Sequence, residues 1–352
     1  MKPETTAHAP AATVKCLVWD LDDTVWNGTV LEGDAPQLFP EVLDTLHTLD
    51  KRGILHAAAS RGDHDTATAH LRALGIEELF TVLEIGWGAK SDAVRCVAEA
   101  LNIGIDTVAF IDNDPVERAE VAAAHPAVRV LAAEQAAGLP ALPPFQPPFV
   151  TDESRGRRHL YRSELRRKHA QDTHTGLAKD FLATLGLVLT VRRATETDLE
   201  RAHELTVRTH QLNTTGRTYD IAELRELTAS PSHQVLVAGL EDRFGSYGTI
   251  GLALSELTGT DSVLKLLLLS CRVMSRGVGP ALIGHIVRDA LAAGRRPLAE
   301  FVPTEVNRVM LVNLRFSGFD VVERNGPRIL LGYGPEQPPP AQDSAVRVVT
   351  VA

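Results

Sequence analysis

Three carboxylates, Asp20, Asp22 and Asp23, arrive within four residues at the end of the apolar run Cys16-Leu17-Val18-Trp19. Burying one unpaired charge costs several kcal/mol, so a buried strand that ends this way needs the acids for something. A DxD just past a strand puts two carboxylates in a loop facing one small volume. One can attack phosphorus while the other donates a proton to the leaving group. Their combined charge attracts a hard cation such as Mg²⁺, which prefers carboxylates and keeps waters. Three further features suit that chemistry. Ser60 follows an apolar run, where its hydroxyl can hold a phosphoryl oxygen. Lys90 opens a helical pattern and can neutralise nucleophile and phosphate. The stretch FIDNDP, 110–115, supplies Asp112 and Asn113 at the end of another run. Aspartates also start turns and cap helices, the simpler use for Asp23 and Asp114.

A second set of candidates lies in VLKLLLLSCRVMSRGVGPALIGHIV, 263–287, which reads as a strand, a glycine turn and a helix. Amides of such a turn, around Arg276, Gly277 and Gly279, can receive a pyrophosphate. Cys271 lies just before the turn, between Ser270 and Arg272, and a nearby cation favours a thiolate. A cysteine at a strand end is equally often core, the reading given to Cys16 and Cys96. His210 could serve as base to Cys271, or be a surface residue or cap. Asn213, Thr214, Thr215 and Arg217 form a polar cluster able to bind hydroxyls or a phosphate, or simply a loop of Asx and Ser/Thr turns.

The elements that must position these groups follow from periodicity. Strands are expected at 14–19, 54–59, 79–85, 108–111 and 128–131, with helices at 40–52, 63–74, 90–102 and 115–125. This alternation implies a doubly wound parallel sheet, whose ligands bind at the carboxyl ends of the strands. The acids stand there. Residues 138–150 hold five prolines in thirteen residues and are expected to be an extended domain boundary. A helical segment, 152–185, is basic at Arg155, Arg157, Arg158, Arg162, Arg166, Arg167 and Lys168. In the second half, strands are expected at 187–193, 234–240, 247–256, 263–273, 297–302 and 328–333. Helices are expected at 195–211, 220–229, 279–293 and 304–317. The expected domains are 14–137 and 186–335, joined by 138–185. Loose tails are expected at 1–13 and 336–352.

The chain has 352 residues, 44% hydrophobic and 23% charged, with net charge −9. Two domains are the natural expectation, with no general affinity for nucleic acid or an anionic membrane. No apolar run reaches transmembrane length and no signal peptide is seen. Three cysteines without CxxC spacing suggest a reducing, cytoplasmic setting.

DLDDT, AAAS, GAKSD and FIDND, in order over about 14–133, resemble the four motifs of the haloacid dehalogenase (HAD) superfamily. That resemblance implies Asp20 as nucleophile through an aspartyl-phosphate and Asp22 as general acid/base. It also implies a Mg²⁺ site of Asp20, Asp22, Asp112 and Asn113. The glycine-turn stretch with TEVNRVMLVNLRFSGF resembles GNAT-type acyltransferases, with Met274 where a basic residue or Gln is usual. The expected fold class is therefore α/β, an HAD-type doubly wound domain plus a GNAT-like α+β domain. The whole layout, carried by KCLVWDLDDTVWNG, RTHQLNTTGRTY and LSCRVMSRGVG, resembles the FkbH-like family of polyketide pathways. Members are understood to take 1,3-bisphosphoglycerate, remove its phosphates and load D-glyceryl onto an acyl carrier protein. The departures are Asp112-Asn113 for two adjacent acids, Ser60-Arg61-Gly62-Asp63 for Ser-Lys-Asn-Asn, and His210 for an asparagine. Ser60 and Arg61 would then bind the phosphate. Asn213, Thr214, Arg217, Arg272, Arg276, Gly277 and Gly279 would bind the acyl group or the carrier arm. Cys271 would take the glyceryl unit. The basic helix would steer the carrier or be a solvated face. A plain small-molecule phosphatase with an acyl-binding second half is the alternative.

Overall fold

The computed structural model describes residues 13–32, 35–274, 276–334, 336–341 and 345–351. They belong to two compact units, Met1–Leu165 and Arg166–Ala352. Except for residue 13, the tail expected at 1–13 lies outside the described residues.

In the first unit β1 (Cys16–Trp19) is the middle strand of five. It is followed by β2 (Leu55–Ser60), β3 (Phe80–Ile85), β4 (Val108–Asp112) and β5 (Arg129–Ala132), in the order β3-β2-β1-β4-β5. Every neighbouring pair is parallel. The intervening helices are α1 (Pro40–Lys51), α2 (His64–Ala73), α3 (Lys90–Leu101) and α4 (Pro115–Ala124). Successive strand residues point to opposite faces. Leu17 and Trp19 accordingly join one core with Leu46 and Leu71, and Cys16 and Val18 another with Val94 and Phe110. Burial on both faces is why β1 reads as an unbroken apolar run. Register pairs Trp19 with Ala58 on one side and Ile111 on the other, so Asp20, Ser60 and Asp112 emerge at one edge.

The proline-rich stretch is not an extended boundary. Ala133–Ala141 and Pro143–Phe145 are 3₁₀ turns, the Val14 amide donates to Pro144 O, and Phe145 is buried in the same core as Trp19. Proline suits the first position of such turns, where its missing N–H leaves no bond unmade.

The arginines of α5 (Arg157–Asp172) that belong to this unit are engaged. Arg158 pairs with Asp50 at 3.0 Å, Arg162 pairs with Glu78, and Arg157 donates to Gly53 O. Each of these three arginines is tied to a partner in this unit.

The second unit carries an eight-stranded sheet. Its strands are β6 (Leu187–Arg193), β7 (His233–Asp242), β8 (Gly245–Leu257), β9 (Asp261–Leu269), β10 (Arg296–Phe301), β11 (Phe319–Asn325), β12 (Arg328–Tyr333) and β13 (Val346–Val351). Their order is β11-β12-β10-β9-β8-β7-β6-β13. Pairing is antiparallel except for β9 with β10 and β6 with β13. The helices are α6 (Ala178–Leu185), α7 (Leu199–Arg208), α8 (Ile221–Ala229), α9 (Val278–Ala292) and α10 (Arg308–Phe316). The expected loose tail is corrected: β13 pairs with residues 187–192 of β6, and Val346 is buried. The β-branched run VRVVTV favours a strand, and it covers what would otherwise be an open sheet edge.

β9 and β10 pair only from Asp261 to Leu264. Beyond that, residues 212–214 enter between them. The Leu269 amide donates to Leu212 O, the Thr214 amide to Leu267 O, and the Val302 amide to Thr214 O, at 2.9–3.0 Å. The Leu267 amide reaches Thr214 Oγ1 at 2.9 Å. Fully buried Asn307 donates to Asn213 O and Val302 O, both at 2.9 Å.

Two predictions follow from buried polar groups. In the first unit Trp19 Nε1 donates to His56 Nδ1 at 3.1 Å, so the remaining proton sits on Nε2 and is given to Leu46 O at 2.9 Å. Burial lowers this histidine to about 4. Below about 6.5 the unfolded chain binds a proton that the folded one refuses. Stability of the first unit should therefore fall as pH drops from 6.5 toward 4, by up to roughly 3 kcal/mol. All three tryptophans lie in that unit, so urea midpoints by tryptophan fluorescence check it, with a flatter profile in His56→Gln. In the second unit the Arg167 guanidinium, 1% exposed, pairs with the buried Asp242 at 2.8 and 3.0 Å and stacks 3.6 Å from the Tyr247 ring. Arg167→Ala strands that carboxylate and should cost the unit about 3–5 kcal/mol, read by calorimetry.

Candidate active site

At the carboxyl edge of the parallel sheet, the ammonium of Lys90 is the centre of a charge cluster. Lys90 is the first residue of α3 and 2% exposed. It ion-pairs with Asp20, with Asp112 Oδ2 at 3.2 Å and with Glu117 Oε2 at 3.1 Å, and donates to Ala59 O at 2.8 Å. The turn that presents it is anchored by Glu120, which accepts from the amide and hydroxyl of Ser91. Asp20 follows β1, its amide donating to Ile111 O at 2.9 Å. Its Oδ2 accepts from Thr24 at 3.1 Å. Glu117 also pairs with Arg61 Nε at 2.9 Å. Three carboxylates against two cations leave one negative charge in excess.

Burial and the charge of Asp20 raise Asp112 to about 6, against the pull of Lys90. Burial likewise raises Asp20, outweighing the Lys90 ammonium. For Lys90, burial works against the charge, but Asp20, Asp112 and Glu117 outweigh it and the pKa is raised. Asp112 Oδ2, although within ion-pair distance of Lys90, is buried and takes no hydrogen bond among the described residues. That open lone pair beside Asp20 fits a divalent cation. Mg²⁺ is held by one or two carboxylates plus waters and phosphate rather than a closed protein cage. Among the described residues no group of three or more His, Cys, Asp or Glu forms such a cage.

Other expected members sit as follows. Asp22 Oδ1 accepts from Trp26 Nε1 at 2.7 Å and from the Val30 amide at 3.3 Å, so the hairpin Trp26–Asn27 with Gln37–Leu38 holds that carboxylate. Asn113 Oδ1 lies 3.4 Å from Thr24 Oγ1, and the Asn113 amide donates to the same oxygen at 3.1 Å. Ser60 is buried at the end of β2. Asp23 is turn chemistry: its φ is +52° and it accepts from the Gly28 amide. Asp114 caps α4. Sequence reading missed Glu117, Thr24 and Glu120.

In the second unit Cys271 is exposed and opens the 3₁₀ turn Cys271–Val273, with Arg272 Nε donating to Ser270 Oγ at 3.3 Å. Asn213 bridges antiparallel to Leu268. His210 is also exposed, three residues before that bridge. Gly277, with φ of +75°, precedes α9, and a Cβ on Gly279 would lie 3.5 Å from Leu269. Arg276 lies 5.3 Å from the Tyr247 ring; Ser275 is outside the described residues. Three expected binding residues have engaged side chains. The side chains of Asn213 and Thr214 serve the backbone: Asn213 Oδ1 accepts from the Thr215 and Gly216 amides, and Thr214 Oγ1 from the Leu267 amide. Arg217 pairs with Glu223 and covers the Tyr219 ring at 4.4 Å. Asn and Thr satisfy turn and gap amides as readily as they bind ligands.

No family model and no curated protein matches the chain. Solved structures are similar to parts of it. The N-terminal part of a Bacteroides fragilis protein containing a phosphatase domain, complexed with Mg, is 29% identical, over 34% of this chain and 36% of its own, with a TM-score of 0.32. The chain thus spans about a third of that protein's length. The GNAT domain of S. lividans PAT is 19% identical over 41% of this chain and 88% of its own, TM-score 0.33. The ribosomal-protein-S18-alanine N-acetyltransferase of Escherichia coli is 13% identical over 42% and 98%, TM-score 0.34. The expected α/β fold class holds on strand order and pairing, with a five-stranded parallel sheet in the first unit and an eight-stranded mixed sheet in the second. Among the described residues no helix is long and apolar enough to cross a membrane.

The cluster predicts a cation-dependent stabilisation. A ligand that binds only the folded state raises stability by about 2.7 kcal/mol at a hundredfold excess over its Kd. Millimolar Mg²⁺ should raise the thermal midpoint of the wild-type chain, and Asp112→Asn should lose most of that rise.

Proposed function

We propose that the chain is a two-site enzyme that moves an acyl group and removes a phosphate. It loads D-glyceryl from 1,3-bisphosphoglycerate onto an acyl carrier protein. The observation that carries the reading is the Asp20–Lys90 pair, flanked by Asp112 and Glu117 at the edge of a parallel sheet. A buried carboxylate whose charge is held by one ammonium is a nucleophile for phosphorus. In this reading an oxygen of Asp20 bonds to the phosphorus of the C3 ester and the ester P–O bond breaks. Asp22 gives its proton to the leaving oxygen, then takes one from the water that hydrolyses the aspartyl-phosphate. Asp20 and Asp112 would hold Mg²⁺, which when bound draws negative charge off the phosphoryl oxygens. Ser60 would bind one of those oxygens, and Arg61 would leave Glu117 for another.

The acyl transfer belongs to the second unit. The Cys271 thiolate attacks the C1 carbonyl of the acyl phosphate, a C–S bond forms, the C–O bond to phosphate breaks, and phosphate leaves. The carrier's phosphopantetheine thiolate then takes the acyl group from Cys271. His210, exposed three residues before the Asn213 bridge, would remove the incoming thiol protons. The exposure of Cys271 supports this use over a core role.

The carrier protein incubated with enzyme, Mg²⁺ and 1,3-bisphosphoglycerate should gain a mass matching glyceryl. Cys271→Ala should abolish the adduct while phosphate release from simple esters stays within about twofold of wild type, whereas Asp20→Asn should cut that release by at least about 10³-fold. Phosphate release with no carrier adduct would favour the plain phosphatase.

A further inference from the structure

Next to the Asp20–Lys90 pair a cleft of about 180 Å³ runs along the ends of β2 and β3 and the first turns of α3. Ser60 and Lys90 line it, so a phosphate held at Asp20 leaves the rest of its ester beside or within this space. The cleft's other charged linings are Glu84 and Asp92. These charges are unequal in effect. Lys90 is already shared among three carboxylates. Asp92 is exposed and paired with Arg95 at 3.1 Å. Glu84 is half-buried at the end of β3 and takes no hydrogen bond or ion pair among the described residues. The opposite charge acting on it is the imidazole of His64, present only when protonated.

A second anion entering this cleft therefore meets a carboxylate with no fixed counter-charge in a partly desolvated place, where like charges repel strongly. We propose that Glu84 is a specificity-determining residue that admits phosphomonoesters whose remainder is uncharged and turns away those carrying a second anionic group. The inference rests on the phosphatase reading above and deepens it. Of the forms a glyceryl unit takes on the proposed route, the acyl phosphate carries a second anion and the thioester does not. The C3 phosphate is then removed after transfer to a thiol, from the neutral thioester.

The test uses the full chain with Mg²⁺ and two soluble esters, glycerol 3-phosphate and 3-phosphoglycerate, which differ by a carboxylate. Wild type should favour glycerol 3-phosphate in kcat/KM by about tenfold or more, as expected for one unscreened like charge at close range. Glu84→Gln should narrow the ratio to within about threefold by speeding 3-phosphoglycerate, and Glu84→Lys should reverse it. Asp92→Asn should leave the ratio as in wild type. A wild-type ratio near one, or a ratio that Glu84→Gln and Glu84→Lys leave unchanged, overturns the assignment of Glu84 while the phosphatase reading stands. Absence of turnover of both esters and of p-nitrophenyl phosphate overturns that reading and this inference with it.

Discussion

The first unit depends on the burial of one ammonium group. Lys90 touches three carboxylates at 2% exposure, and neither the cation nor the acids could be buried alone. Each partner comes from the end of a different element: Asp20 from β1, Asp112 from β4, Glu117 from the first turn of α4 and Lys90 from the start of α3. The pairing that assembles the site thus also fixes those elements at the sheet edge. The cluster keeps one negative charge in excess, and Asp112 keeps an oxygen without a hydrogen bond. The excess charge and the open oxygen are what a divalent cation would satisfy.

The second unit solves a different problem. Where β9 and β10 part, their amides and carbonyls would be left unpaired in a buried place. Residues 212–214 fill that gap, fixed by the wholly buried Asn307. Of the side chains that looked most like a ligand cluster, Thr214 is used for this, while Asn213 holds the amides of its own loop.

Much of this was legible in the sequence because periodicity and strand ends carry it. Unbroken apolar runs at 16–19 and 108–111 gave buried parallel strands, and acids directly after them gave the site. Glu117 was not found, because nothing local says that a helix's first turn reaches a lysine on another helix. The proline stretch was misread, since composition reports turn formation and says nothing of Phe145 reaching the core. β11 alternates weakly, with Asp320, Glu323 and Arg324 exposed at a sheet edge, and β13 lies behind another proline run. Both are edge strands, where tertiary pairing outweighs local pattern. The basic helix read as a surface, yet Arg158, Arg162 and Arg167 each have an acid in reach within their own unit.

The central claim is that Asp20, held by Lys90, is the atom that accepts the phosphoryl group. Acid quench during turnover, then borohydride reduction and peptide mass analysis, tests it directly, because an acyl phosphate on an aspartate is reduced to homoserine. The account predicts homoserine at position 20, dependent on substrate and on Mg²⁺. Phosphate release with Asp20 unmodified, or modification at another residue, would contradict it.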